Sequence, residues 1–443
     1  MSTVALGALL APLNSTMLAV ALPEIRTDFG LSHASVGWLV STYLIAMAVV
    51  QPAAGRLGDE IGRLRVFRAA LLAFLVFSLA AVFAPTFELL VAFRTLQAVS
   101  GAILIPNGIG MLRAAVPAAR FGTYSGINSA VIGATAAAGP LVGAGILAFA
   151  PWRALFLVNI PVVAAASIMA SRLPSGQETS ESRRLSIPGL ALFAALLVVL
   201  TWTLNSLRSG SASGQFAGLA ILAAIAVCFI AHQRSSPVPV AAWSLFRNRG
   251  FVGASSHILL MNLVMYTTLL AVPFFITDVQ HRSATVAGLL LGAMAALQSL
   301  SAPFAGRISD TVGRRLPTLV SSSLATFAAI LLLAGVSKHE SFWFLGIAVT
   351  ILGLGVGIGF VTSSAAAVES VPGALSGTAS GTQSMMRYAG SILGTGILTG
   401  LLATGEDADP SIATFRILFL VVTVIAAVSF VAAAMVRPFA THR

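Results

Sequence analysis

The sequence predicts an all-α polytopic membrane protein of about fourteen transmembrane helices, arranged six plus two plus six. Three observations predict it. Of 443 residues, 57% are hydrophobic and 9% charged, with a mean hydropathy of +0.95, whereas roughly a quarter of a soluble domain is charged. Nearly every stretch between charged clusters stays apolar for about 18 residues or more, the length that crosses a hydrocarbon core. The charged, glycine-punctuated stretch GRLGDEIGRLRVFR at Gly55–Arg68 returns, shortened, as GRISDTVGRRLP at Gly306–Pro317, each joining two apolar runs. The chain therefore reads as two related halves.

In chain order, the first half (1–172) carries spans at roughly 4–22, 35–55, 66–84, 88–111, 121–149 and 153–171. Its first run lacks a basic leader and reads as a retained span. The polar stretch SRLPSGQETSESRRLS leads into segment 173–249, with two further spans at roughly 187–205 and 214–232 around the soft loop SLRSGSASGQ. The second half (250–443) carries spans at roughly 250–277, 285–305, 317–336, 342–364, 375–402 and 412–436. With a cytoplasmic N-terminus, Arg56, Arg63, Arg65, Arg68, Arg113, Arg120, Arg172, Arg234, Arg247, Arg249, Arg307, Arg314 and Arg315 all lie in inner loops. Only Arg26, Arg153, Arg208, Arg282, Lys338 and Arg416 face outward, so the positive-inside rule places both termini in the cytoplasm.

The net charge of +11 is thus topological and gives no reason to expect a nucleic-acid partner. A single cysteine, Cys228, excludes an intrachain disulfide and a CxxC metal site. No phosphate-binding GxxxxGK(S/T) loop is present, which argues against ATP hydrolysis by this chain. No HExxH, paired intramembrane aspartates or Ser-His constellation supports an enzyme, and no metal or cofactor is expected.

In the repeated stretch, Gly55, Gly62, Gly306 and Gly313 are read as turn glycines that permit positive φ and close backbone approach. Asp59 and Asp310 are read as facing a neighbouring helix N-terminus, where the dipole holds a carboxylate by about 0.3–1 kcal/mol. With Arg63 and Arg314 they would form a breakable latch between conformations. A positive-inside anchor would explain one copy; recurrence at equivalent places argues for more.

GRLGDEIGRLRVF resembles the loop between the second and third helices of the major facilitator superfamily of transporters, and GRISDTVGRR resembles its counterpart in the second half. The two inserted spans resemble the fourteen-helix drug:proton antiporter branch. So do LNSTMLAVALP at 13–23, Trp38 and Tyr43, RTLQAVSGA at 94–102, GPLVGAG at 139–145 and WRALFLVNIP at 152–161. The resemblance covers almost the whole chain. It implies a bacterial cytoplasmic-membrane exporter that binds small molecules and protons within the lipid bilayer, here expected as a monomer.

Single residues sharpen the expectation. Gly139, Pro140 and Gly143 predict a kinked, closely packed hinge, and the resemblance makes that element the antiporter signature. Arg94 lies about 9 Å below the outer end of its span, too deep to face lipid cheaply; the resemblance gives Arg94 and Gln97 a part in proton coupling. Arg387 lies near the midplane, facing either a watery cavity or neutralising groups. Asn14 stands where the family has a titratable aspartate, at nearly the depth of Arg94, and its amide is expected to bond the guanidinium. No carboxylate is central. His257 alone among the histidines is well inside a span, as a possible proton carrier or a packing residue. Asp278 and Glu88 are runners-up as entry-side proton acceptors, each read first as a solvated helix-end charge. Tyr43, Asn107, Asn128, Asn262, Tyr266, Gln298 and Gln383 complete the candidate cavity, on helices that line the centre in the family.

These readings predict a proton-coupled exporter of neutral, zwitterionic or anionic amphipathic compounds, since two buried arginines without an acid make an electropositive cavity. The alternatives are an uncoupled or weakly coupled facilitator, because Asn14 cannot titrate, and a non-transporting sensor or scaffold.

Overall fold

The computed structural model describes residues 2–116, 131, 134–136, 138–173, 186–205, 212–236, 243–337, 342–372, 376–402 and 411–436, and every long regular element among them is a helix. The first half comprises α1 (Ser2–Met17), α2 (Leu22–Asp28), α3 (His33–Ile61), α4 (Arg63–Val82), α5 (Phe87–Ala115), α6 (Ala134–Leu147) and α7 (Asn159–Ser171). The inserted pair is α8 (Ile187–Asn205) and α9 (Ala212–Ser235). The second half comprises α10 (Arg249–Phe274), α11 (Ala284–Val312), α12 (Arg315–Ala334), α13 (Phe342–Glu369), α14 (Ser376–Leu402) and α15 (Ile412–Ala434). Among the described residues eleven helices are long and apolar enough to cross a membrane, while α3 and α6 hold the shorter apolar stretches Ser35–Gln51 and Ala134–Leu147. The chain is a multi-pass membrane protein.

The two halves repeat one packing scheme. In the first, α3 and α4 lie on α5, and α1 on α5 and α7. In the second, α11 and α12 lie on α13, and α10 on α13 and α15. Backbones approach closely where glycine permits, as at Gly353, where a Cβ would stand 1.9 Å from the Met294 carbonyl. Such small-residue contacts drive helix association when lipid supplies no hydrophobic force.

The repeated stretch is helix and not the expected loop. α3 continues through Gly55 to Ile61, and Gly62 alone turns the chain into α4, at φ 103°. Its counterpart Gly313, at φ 83°, ends α11. Only these two glycines adopt the left-handed φ expected of four. Nothing between Gly55 and Ile61 breaks a helix, so the backbone keeps its hydrogen bonds until a residue without Cβ allows reversal. Gly55 and Gly306 sit alike in both halves, where a Cβ would make ordinary contact at 3.6 Å with Pro106 of α5 and with Val361 of α13, so neither enforces a close approach. The end of the bundle holding Gly62 and Gly313 is called here the motif end.

The inserted helices touch both halves. α8 packs on α14 and α3, with Leu204 against Gly396 and Gly400, one turn apart on α14. α9 packs on α8 through Phe193 and Phe229, at 5.8 Å, and through His232 Nε2 and Ser186 Oγ, 2.7 Å apart. Little else covers α9, of whose apolar window 6% is buried.

Candidate functional site

A closed ring of polar side chains fills the core of the first half. Arg94 Nη1 donates to Gln97 Oε1. Gln97 Nε2 donates to Ser78 Oγ at 2.6 Å, and Asn159 Nδ2 donates to the same oxygen and to Asn14 Oδ1, both at 3.1 Å. Asn14 Nδ2 returns a bond to Asn159 Oδ1 at 2.7 Å. Arg94 Nη2 closes the ring on the backbone carbonyl of Asn14. Four helices, α1, α4, α5 and α7, each contribute. Arg94, 2% exposed, also lies 4.0 Å over the Tyr43 ring, and the Tyr43 hydroxyl donates to Ala11 O at 2.9 Å.

This arrangement corrects the expected contact between Arg94 and the Asn14 amide. α1 ends at Met17 and runs on into the 3-10 turn Leu18–Ala21, so the Asn14 carbonyl lies in its last turn, within reach of Arg94 Nη2. The guanidinium takes that carbonyl, and the amide is left to Asn159. Among the described residues no carboxylate pairs with Arg94; carbonyls, an amide and a π face surround the charge instead.

His257 occupies the core of the second half and is fully buried. Its Nδ1 is 2.8 Å from Ser363 Oγ and its Nε2 3.1 Å from Ser322 Oγ, and Ser429 Oγ donates to Ser322 Oγ at 2.9 Å. Both ring nitrogens are thus engaged by hydroxyls of α12 and α13.

Between the halves, Tyr43, Tyr266, Tyr388, Arg94 and Arg387 converge. Tyr266 of α10 sits against Ser15 of α1 and Ser391 of α14. Gln51 Nε2 of α3 donates to the Tyr388 hydroxyl at 3.0 Å, and Arg387 lies 5.3 Å over the Tyr388 ring. The other expected cavity residues are placed differently. Asn107 Nδ2 pins α5 to Ala54 O of α3 at 2.9 Å, Gln383 Nε2 reaches Ser363 O of α13 at 3.2 Å, and Asn262 Nδ2 bonds Ile258 O in its own helix at 2.9 Å. The Gln298 carbonyl packs on Gly357. Asn128 and the Asp59 side chain lie outside the described residues.

The halves meet from this level to the end opposite the motifs. There Asp278 Oδ2 accepts from Arg26 Nη2 of α2 at 3.3 Å and lies 3.0 Å from His33 Nε2 of α3, while Thr277 Oγ1 donates to Asp278 Oδ1 at 2.7 Å. Asp278, expected as a solvated charge, has a side chain 7% exposed. It sits in the π turn Phe275–Val279 that ends α10, a distortion that recurs at functional sites, and the first half covers it.

α6 packs at the same boundary. Thr16 Oγ1 donates to Ala136 O at 2.9 Å, the carbonyl whose helical partner would be the N–H that Pro140 lacks. Gly139 and Gly143 let α6 approach Thr16 and Met17 of α1, and Gly288 of α11 meets Ala144 and the Pro140 carbonyl. The predicted hinge is a junction between halves.

At the motif end, Asp310 faces its own motif arginine and not a helix N-terminus. Arg314 bonds Asp310 Oδ1 and Glu369 Oε1, each at 2.7 Å. These carboxylates, Glu369 first, push the guanidinium further above its already high range, so the cation is permanent. In the first half Arg63 lies over Gly110 of α5, where a Cβ would overlap its guanidinium.

Sequence reasoning passed over Asn159, Ser78, Gln51 and Tyr388. Asn159 had a signal in the string WRALFLVNIP, which the structure divides in two. Trp152 Nε1 and Arg153 Nη1 donate to Asp28 Oδ2 at 3.1 and 2.7 Å, and Asn159 joins the ring.

Two related helical halves closing over a buried polar site define a membrane transporter fold. The family model described as Major Facilitator Superfamily matches residues 4–395 and 258–442, and the chain belongs to that superfamily. It is 32% identical over 400 residues to "Uncharacterized MFS-type transporter YvkA" of Bacillus subtilis, covering 90% of this chain and 89% of that one. It is 29% identical to the "Tetracenomycin C resistance and export protein" of Streptomyces glaucescens, over 90% and 75% of the two chains. It is also 29% identical to "Multidrug resistance protein 3" of Bacillus subtilis, over 88% and 77%. Among solved structures a D-xylose-proton symporter shares the fold at a TM-score of 0.70 and 12% identity, covering 97% of this chain and 95% of that one. The relatives are named as transporters, and nothing points to catalysis.

Proposed function

We propose that the protein is a secondary active exporter of small amphipathic compounds, working by alternating access against protons, with fourteen spans, both termini and the motif end cytoplasmic. The carrying observation is the pairing of two sites at the boundary between halves. An electropositive, tyrosine-rich site occupies the middle, and an ionic lock on Asp278 holds the end opposite the motifs closed. In this orientation the lock faces outside and the site faces the cytoplasm, the state that loads an exporter. The export names of two relatives support the direction.

Neutral, zwitterionic and anionic compounds are the favoured class. A dication would meet Arg94 and Arg387, at a Coulomb cost on the order of several kcal/mol at an effective dielectric near 20. Proton coupling falls to Asp278 in place of an acid at Asn14. In the outward-open state Asp278 takes a proton from outside, and closure between Arg26 and His33 expels it. Arg387 and the Tyr43–Tyr266–Tyr388 cluster bind and orient the substrate, with Arg94, held by Gln97, supplying charge behind Tyr43. Asp310, Glu369 and Arg314, with Gly55, Asp59, Gly62 and Arg63 in the other half, form the cytoplasmic latch.

Proteoliposomes with an imposed pH gradient and a chemically diverse panel test this. Gradient-driven accumulation of an uncharged or anionic compound is expected. Equilibration without accumulation would instead establish a facilitator, the reading that the untitratable Asn14–Asn159 pair favours.

A further inference from the structure

A cleft of about 620 Å³ opens at the motif end of the second half, lined by Arg247, Arg249, Arg315 and Asn248 and floored by Ala434 and Met435. Arg247 ends a 3-10 turn, Trp243–Arg247, anchored by buried Leu245 and by Phe246 edge-on to Phe251 at 6.0 Å. Asn248 caps α10, accepting from Gly250 N and Phe251 N, and its Nδ2 donates to Ser370 O. The cleft wall is therefore fixed by packing and hydrogen bonds.

Among the described residues no carboxylate pairs directly with Arg247, Arg249 or Arg315; Asp310 and Glu369, the nearby carboxylates, are both taken by Arg314. Arg315 Nε is buried without a hydrogen-bond partner. The N-terminus of α12, which Arg315 begins, has no side-chain cap, so its free N–H groups and the helix dipole add to the positive field. Immediately after Arg315, Leu316 and Val320 line an apolar groove with Leu300, Phe304 and Ile308. The basic cleft thus lies where the apolar face of α12 begins.

We infer that this cleft binds a phosphate-bearing anion, separately from the transport site. Three guanidiniums lining one cleft beside the start of α12 match a phosphate group in charge, and each can donate a pair of parallel N–H bonds to its oxygens. The boundary position suits an anionic phospholipid headgroup, and basic pockets between membrane helices take such groups. The inference goes beyond the proposed transport reading and stands whether or not protons are coupled.

The test uses purified full-length protein in detergent, titrated with dioleoylphosphatidylglycerol, with zwitterionic dioleoylphosphatidylcholine and with inorganic phosphate, read by native mass spectrometry and thermal midpoint. Saturable retention of phosphatidylglycerol over phosphatidylcholine is expected, weakened on the order of tenfold in R247Q/R315Q, restored in R247K/R315K and unchanged in R416Q. Retention of inorganic phosphate with the same arginine dependence would make a soluble phosphate the ligand. Should the double variant fail to fold, R249Q carries the comparison. Equal retention in wild type and arginine variants, or no retention of either anion, overturns the inference.

Discussion

Asp278 of α10 and His33 of α3 lie 3.0 Å apart across the boundary between the halves, with Arg26 on the same carboxylate oxygen at 3.3 Å. The cluster joins one acid to two cationic or protonatable groups, and the acid belongs to one half while both partners belong to the other. Any motion that parts the halves at this end must break both contacts. Asp278→Asn keeps the shape and removes the charge. Expected is retained downhill transport with loss of pH-gradient-driven accumulation in proteoliposomes. Unaltered gradient dependence would remove Asp278 from coupling.

The same lock gives a pH dependence with a definite sign. Protonating Asp278 removes the negative charge that both Arg26 and His33 use, so acidification far enough to protonate this carboxyl favours opening. A spectroscopic distance between labels on the α2–α3 turn and the end of α10 is expected to lengthen as pH falls in wild type. In Asp278→Asn it should be long and independent of pH.

The Arg94 ring predicts a stability cost in the first half. Asn159→Ala leaves buried Asn14 Oδ1 without its donor, while Asn14 Nδ2 keeps Leu10 O and Ser78 keeps Gln97 and Phe74 O, and a buried polar group so deprived costs about 1–3 kcal/mol. The thermal midpoint in detergent should fall, while Asn159→Ser should recover part of it. An unchanged midpoint would show the ring to be slack.

Much of this fold was legible because apolar run length acts on whole segments, and a shift of a few residues leaves it intact. The site was legible only in its members. Arg94 announced itself by depth, but its partner could not be read: whether a guanidinium meets the amide or the carbonyl of Asn14 depends on what else the amide bonds, here Leu10 O and Asn159. Asp278 looked like a helix-end charge because a π turn and a covering neighbour leave no mark in hydropathy. Tyr388, beside the conspicuous Arg387, gained its role only when α3 brought Gln51 to it.

Thr16 and Pro140 predict a local effect with a global readout. Thr16→Val keeps the volume but withdraws the donor to Ala136 O, leaving a carbonyl freed by proline without its partner, at about 1–3 kcal/mol. Because α6 also bears on Gly288 and Gly292 of α11, loosening should appear as a lower transport rate beyond the stability loss. Thr16→Ser, which retains the hydroxyl, should behave as wild type.

The inserted pair gives the last prediction. Leu204 of α8 sits in the groove made by Gly396 and Gly400 of α14, and a Cβ at Gly400 would stand 2.3 Å from the Leu204 carbonyl. Backbone cannot yield as a side chain tip can, so Gly400→Leu must push α8 away from α14. α8 also contacts α3, and this displacement opens the seam along which the two halves face lipid. If the pair only fills space, a cysteine crosslink between α3 and α14 forms as before and transport is unchanged. If α8 clasps the seam, as its contacts with both halves require, Gly400→Leu raises the leak of substrate in the absence of a gradient, and Gly400→Ala gives a smaller effect in the same direction.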